Sequence, residues 1–344
     1  MSEKTQLSTV SVPNVTSTRF SEVFSNSNKY VSYGKNNLYP DYLWRLYTQC
    51  PTHQSIIDGK VDYILGNGIS GGDKPVNSKG ETLMDVVAKI ALDQQIFGGF
   101  SFQVIYNNAG RVAEIYWSDF SKWRTNKEVT QLFWNDSWQA SGAKPIPYAV
   151  FDADATKKTS QVFYNRGLTC RSIYPLPSYI AATDALETEI EIQSYHLNGI
   201  RNNFSVSAII NMNNGVPEEE ARKVQERKIQ DKFCGSNAAA KLLISWNDNK
   251  DVAMTVDRLE EDNLDKKFQQ LSKDTQRNIF ISHRVTSPSL FGVLPENTGF
   301  SKQEYEESFS VFNRTVIKPQ QDEIIRALTR IFPKESISFE PFSL

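Results

Sequence analysis

EEDNLDKKFQQLSKDTQRNIFISHRVTSPSLFGVLPENTGFS, residues 260–301, is the stretch whose reading decides the fold. Its acids come first (Glu260, Glu261, Asp262, Asp265) and its bases last (Lys273, Arg277, Arg284), the order that a helix macrodipole favours. Leu264, Phe268, Leu271, Thr275 and Ile279 recur along one side, so the spacing predicts a helix of ~22 residues spanning roughly 33 Å. The next residues, 286–299, carry Pro288, Gly292, Pro295 and Gly299, a density of breakers that excludes regular structure. Ser301 then stands three residues before Glu304, the spacing of a capping box. Tyr305, Phe309, Phe312 and Val316 form the seam of a further helix, and Ile324, Ile325, Leu328 and Ile331 extend it to Pro333. Pro319 predicts a kink within it, because an interior proline removes a backbone bond and clashes with the preceding turn.

Working back from this stretch, Lys241 to Trp246 and Val252 to Arg258 read as strands joined by Asn247-Asp248-Asn249-Lys250. A helix precedes them, opening at Pro217 with Glu218, Glu219 and Glu220 and running to Cys234 before Gly235; proline at the first position and acids in the first turn suit a helix start. Residues 204–212 are extended. Tyr174-Pro175-Leu176-Pro177-Ser178 is the clearest punctuation in the chain, and it precedes a helix over 179–198, so a domain boundary is placed there. The amino-terminal half is α+β: helices after Tyr39-Pro40, from Thr52 to Gly66 and over 81–95, then alternating Phe100, Phe102, Val104 and Tyr106, a turn at Asn107-Asn108-Ala109-Gly110 and a return strand over 112–117. Trp117, Trp123, Trp134 and Trp138, with turn formers between them, predict further short antiparallel strands over 117–165. Residues 1–28, rich in Ser, Thr, Asn and Val, read as a mobile arm without a secretory signal.

At 344 residues and 39% apolar content the chain can bury a genuine core, and no apolar run reaches the ~20 residues of a membrane span. A formal charge of −2 lacks the basic footprint of a tight duplex binder. Cys50, Cys170 and Cys234 are odd in number and without paired spacing, which argues for free thiols in a reducing compartment and against a zinc site.

Motifs for chemistry are weak. Gly66-Asn67-Gly68-Ile69-Ser70-Gly71 matches GxGxxG, but a dinucleotide fingerprint needs a strand before it and a helix after it, whereas a helix precedes and a loop continues. His53, His196 and His283 lie on separate predicted helices without ligand spacing. Asp184, Glu187, Glu189 and Glu191 read as a solvated helix face rather than a metal site. No catalytic, cofactor-binding or metal-binding residue is assigned. The loop at 286–299 differs: Leu290, Phe291, Val293, Leu294 and Phe300 are too apolar for an ordinary exposed loop. Either it folds back into its own core or, the preferred reading, it packs at a subunit boundary and presents Glu296-Asn297-Thr298 to a shared opening.

Taken in order, these pieces resemble the portal proteins of tailed bacteriophages. The resemblance covers about residues 39–332 and rests on Tyr39-Pro40-Asp41-Tyr42-Leu43, Thr52-His53-Gln54-Ser55-Ile56-Ile57, Gly66-Asn67-Gly68-Ile69, Tyr174-Pro175-Leu176-Pro177-Ser178-Tyr179-Ile180-Ala181-Ala182, Leu242-Leu243-Ile244 and Ser287-Pro288-Ser289-Leu290-Phe291-Gly292. It implies an arm (1–28), a wing (29–173), stem helices (174–200 and 260–285), a clip (201–259), a tunnel loop (286–300), a kinked helix (301–333) and a short tail (334–344), with no crown. It also implies a homo-oligomeric ring, expected to hold twelve copies, at a capsid vertex of the virion, assembled in the host cytoplasm. Double-stranded DNA would pass through without base readout. The terminase large subunit, head-to-tail connectors and capsid proteins would be its partners. The implied site residues are Val293, Glu296, Asn297 and Thr298 in the channel loop, Leu264, Phe268, Leu271 and Ile279 for stem packing between subunits, Pro319 at the kink, and Trp246, Asn247, Asp248 and Asn249 on the clip docking surface. The alternatives are another ring-forming connector or adaptor of a virion, and a nucleotide-dependent enzyme using the Gly66–Gly71 loop.

Overall fold

The structure is a computed structural model that describes residues 20–24, 29–140, 144–153, 160–201, 206–212, 215, 217–233, 241–246, 264–293 and 301–340. The chain divides into two units, one of residues 1–187 with 277–344, the other of residues 188–276.

In the first unit, β1 (Glu22–Val23) pairs with β2 (Ser32–Tyr33), and α1 (Tyr39–Gln49) and α2 (Pro51–Leu65) follow. Pro51 holds Cys50 extended (ψ 103°) and starts the second helix itself, since proline excludes its predecessor from the α region yet tolerates the first turn. α3 (Leu83–Phe97) has a complete capping box, with Thr82 N donating to Asp85 Oδ2 (2.8 Å) and Asp85 N to Thr82 Oγ1 (3.2 Å). It ends at Gly98, whose φ of 77° suits glycine.

β3 (Phe100–Tyr106) is the centre of an antiparallel sheet, flanked by β4 (Val112–Trp117) and β8 (Ser160–Asn165). β5 (Trp123–Thr125), β6 (Gln131–Trp134) and β7 (Ile146–Ala149) form a second antiparallel sheet. Phe102 opposes Trp117 on one side and Phe163 on the other, its ring stacked 4.9 Å from that of Phe163. Behind this face Ile64, Val86, Val87, Ile90 and Ala91 of α2 and α3 complete a core, each large apolar side chain contributing about 1.5–3 kcal/mol.

Residues 174–178, where a domain boundary was expected, pack into the first unit: Tyr174 is fully buried, stacks on Tyr33 at 4.1 Å, and Tyr33 donates its hydroxyl to Pro175 O (2.7 Å). The division between units falls instead inside two helices, α4 and α6 below. Residues 301–340 also belong to the first unit. Phe309, Phe312, Val316, Ile317, Ile324 and Leu328 share the core just described, and Ile337, expected in a free tail, is buried with them.

In the second unit, β9 (Val206–Met212) and β10 (Lys241–Trp246) are parallel, with α5 (Glu219–Phe233) between them in sequence. Parallel neighbours need a crossover of this kind. α4 (Thr183–Arg201) and α6 (Leu264–Ser282) each run from one unit into the other. The strand expected at 252–258, the start of α6 near Glu260 and the ends of the arm and of α5 at Cys234 lie outside the described residues.

α7 (Lys302–Phe312) is capped by Ser301, whose Oγ accepts from Glu304 N (3.3 Å). A π turn, Asn313–Ile317, leads into α8 (Lys318–Ile331). Pro319 is the physical reason, because widening the turn before it accommodates the missing N–H and the bulk of the ring.

Candidate functional site

The long helices carry the surfaces expected to meet other subunits. On α6, Thr275 and Ile279 are buried, and Phe268 stacks on Tyr195 of α4 (4.9 Å between ring centres) with His196 at its edge (5.9 Å). Thr275 and Ile279 of the stripe are therefore covered within their own chain. Ile279, expected to pack between subunits, is fully buried here and offers nothing to a neighbour. Leu264 is the first residue of α6. Leu271 of the same stripe is 44% exposed, and Ile281 on α6 is 62% exposed; on α4, Tyr195 is 49%, Leu197 46% and Ile200 66% exposed.

The acids of α4 are not a uniformly solvated face either. Glu187 pairs with Arg45, and Glu189 is buried beneath Gln193, whose Nε2 lies 3.5 Å from its Oε1. No group of three or more metal-ligating side chains occurs among the described residues.

The loop after α6 folds back for half of its length. Pro288–Phe291 forms a 3-10 turn in which Leu290 is buried and accepts the Tyr63 hydroxyl on its carbonyl (2.8 Å). Phe291 stands edge-on to Phe312 (5.7 Å) and Tyr63 (6.0 Å), directly over Gly59 of α2. Leu290 and Phe291 thus belong to the subunit's own core and not to a subunit boundary, because α2 offers a cleft with no side chain at position 59. Val293 emerges 45% exposed. Glu296, Asn297 and Thr298 lie outside the described residues, as do Asn247, Asp248 and Asn249. Trp246, the last residue of β10, is half-buried with an indole N–H that has no partner among the described residues.

Two of the three histidines, far apart in sequence, meet at the end of α6. His53 Nδ1 lies 2.9 Å from His283 Nε2, and His283 Nδ1 lies 3.1 Å from Lys60 Nζ, all three side chains being buried. Tyr179 packs against both imidazoles and donates its hydroxyl to Ile96 O (2.6 Å). Burial, then the Lys60 charge, pushes His53 down to about 3, and burial, then Arg284, pushes Lys60 down to about 7; His283 is lowered for the same reasons. Both imidazoles are accordingly neutral at pH 7 and link α2 to α6 by a chain of hydrogen bonds. This cluster was not legible in sequence, since residues 53, 60 and 283 share no spacing.

The GxGxxG loop is occupied by the chain itself. Ser70 N donates to Ser338 O (2.9 Å), Glu340 N donates to Gly68 O (2.9 Å), and Ile69 bridges Phe339. Gly68 N and Gly72 N turn back to Leu65 O and Ile69 O. A phosphate cradle needs such N–H groups free, so the arrangement is that of a structural turn.

Comparison with solved structures aligns 92% of the chain with 83% of a chain in the neck of a native gene transfer agent (GTA) particle computed with C12 symmetry, at a TM-score of 0.56 and 12% identity. The neck of the empty GTA particle gives 0.59 and 12% identity over 88% of this chain and 84% of that one. The chain has the fold of a GTA neck subunit. It also aligns with an HK97 family phage portal protein from Corynebacterium diphtheriae at a TM-score of 0.49 and 11% identity, over 87% of this chain and 94% of that one. No protein-family model matches the chain, and no curated protein matches it by sequence.

Proposed function

We propose that this chain is a portal-type subunit which closes with copies of itself into a ring, twelve being the expected number, at one vertex of a virus-like particle. Double-stranded DNA enters and leaves through the opening, the terminase motor and later the head-to-tail connectors dock on the second unit, and the role is structural rather than catalytic. The ring is built in the host cytoplasm and retained in the virion. The observation that carries this reading is the fold shared over 92% of the chain with a subunit of a neck computed with C12 symmetry. The open apolar side chains of α4 and α6 support it, because a contact between copies needs apolar surface that its own chain leaves uncovered. So does the near-neutral charge: a channel through which a duplex slides avoids dense phosphate neutralisation. Val293 and the residues after it are assigned to the channel, Leu271 to the contact between neighbouring subunits and Trp246 to the docking surface.

Electron microscopy and native mass spectrometry of the purified full chain test the proposal. Annular particles with one dominant copy number are expected, and a monomer at every concentration would refute it. A second reading, another connector ring, is supported by the same matches, which name a neck and not a particular ring in it. Deleting the gene for the chain separates the two: heads without DNA follow if it is the portal, DNA-filled heads without tails if it is a connector.

A further inference from the structure

α2 seats both the end of α6 and the turn that follows it. Tyr63 donates its hydroxyl to Leu290 O (2.8 Å), and Phe291 lies directly over Gly59. One turn and three turns back along the same helix, Lys60 and His53 reach His283, the residue after α6. Arg284 then takes a left-handed conformation (φ 58°), and the helix closes with Arg284 N donating to Ile281 O (2.9 Å) and Val285 N to Phe280 O (3.0 Å). What holds His283 therefore holds the start of the segment that leads to Val293.

The hydrogen bonds of this row have one direction. Lys60 Nζ donates to His283 Nδ1 (3.1 Å), so the His283 proton sits on Nε2 and is donated to His53 Nδ1 (2.9 Å). The His53 proton is left on Nε2, a buried atom without a partner among the described residues. A proton added to either ring would occupy an atom that the row uses as an acceptor. Lys60 alone can gain a proton and keep its bond, yet it is 1% exposed and has no partner among the described residues other than His283. The two acids of α2 do not compensate it: Asp58 Oδ1 accepts from the Tyr47 hydroxyl (2.7 Å), and neither Asp58 nor Asp62 pairs with Lys60. The other groups facing the row are neutral or of like charge, namely Tyr179 on both imidazoles, with Tyr39 and Tyr42 of α1 behind it, and Arg284. An ammonium buried without a counter-charge is disfavoured, and burial, then Arg284, pushes Lys60 down to about 7.

We propose that His53, His283 and Lys60 form a proton-linked latch: with Lys60 uncharged the row holds the end of α6 and the turn Pro288–Phe291 against α2, and uptake of one proton by Lys60 lets them part more readily. Opening brings Lys60 into water, where it binds that proton without penalty, so acid favours the open form and alkali the closed one. The latch lies wholly within the first unit and works whether or not the ring forms.

Hydrogen exchange of the purified full chain tests this at the amides of His283, Arg284, Val285, Leu290, Gly292 and Val293, all of which donate to backbone carbonyls. After correction for the chemical exchange rate, their protection should rise about tenfold for each pH unit from roughly 7.5 to 9, because the open form binds one proton more than the closed form. These amides should also exchange faster than those of β3 and β8, which report opening of the core as a whole. Lys60→Met, which keeps the length of the side chain and removes the titrating group, should abolish the rise. The unsubstituted chain decides the matter even if that variant fails to fold. Protection that does not change with pH would overturn the proposal, as would a rise that survives Lys60→Met. Exchange of these amides only in step with β3 and β8 would overturn it too, since the row would then have no opening of its own.

Discussion

Gly59→Ala should destabilise the protein although it puts a better helix former in the middle of α2. On helix propensity alone the change gains about 1 kcal/mol. The added Cβ, however, would stand 2.8 Å from Phe291 Cδ1 and 2.9 Å from Phe291 Cε1. Phe291 cannot swing clear, because its ring lies edge-on to Phe312 and Tyr63. Overpacking of this kind costs roughly 1–3 kcal/mol, so we expect a net loss of about 1 kcal/mol. The change should also release the turn Pro288–Phe291 from which Val293 emerges. Urea unfolding at one fixed protomer concentration reads the free energy, and hydrogen exchange at residues 288–293 reads the loop. Phe291→Leu in the same chain should recover most of the loss. A single variant more stable than the parent by about 1 kcal/mol would refute the placement of Phe291 over α2 and with it the folded-back loop.

Leu271→Ser and Ile279→Ala separate assembly from folding: the first should weaken the ring and leave the subunit folded, whereas the second should cost the subunit itself about 2–5 kcal/mol by opening a cavity, as native mass spectrometry and thermal unfolding can tell. Arg124 is fully buried and donates to Asn37 Oδ1 (2.6 Å), Asn37 O (2.6 Å), Ser121 O (2.8 Å) and Trp123 O (2.7 Å); Arg124→Met strands those acceptors and should cost about 3–5 kcal/mol, seen as loss of soluble protein or a lowered denaturation midpoint. Lys60 gives a pH signature. Its folded value is pushed down to about 7 from 10.5, so the unfolded chain binds the extra proton between those values and stability should rise with pH, by about 1 kcal/mol per unit between pH 7 and 9.5. Lys60→Met should flatten that slope in denaturation curves, while the His53 contribution, lowered to about 3 from 6.5, keeps stability falling as pH drops below 6.5 in both proteins.

Much of the local structure was legible because it depends on neighbours in sequence. Ser301 caps α7 through Glu304 N whatever lies around them, and Phe100, Phe102 and Val104 alternate because the strand period is two. Gly66 marks a helix end for the same local reason. Harder to read was what each apolar stripe touches. The row through Phe268, Thr275 and Ile279 is the same whether its partner is α4 of one chain or a helix of the next.

By itself, then, the sequence determined the order of helices and strands and the family resemblance, since each rests on short-range periodicity, caps and breakers. Tertiary structure alone decided that β9 and β10 run parallel, that Leu290 and Phe291 fill a cleft over Gly59, that His53, Lys60 and His283 join hands, and that Asp93 is buried against Trp117. Those facts depend on residues brought together from opposite ends of the chain, and no spacing along a backbone encodes a distance across a core.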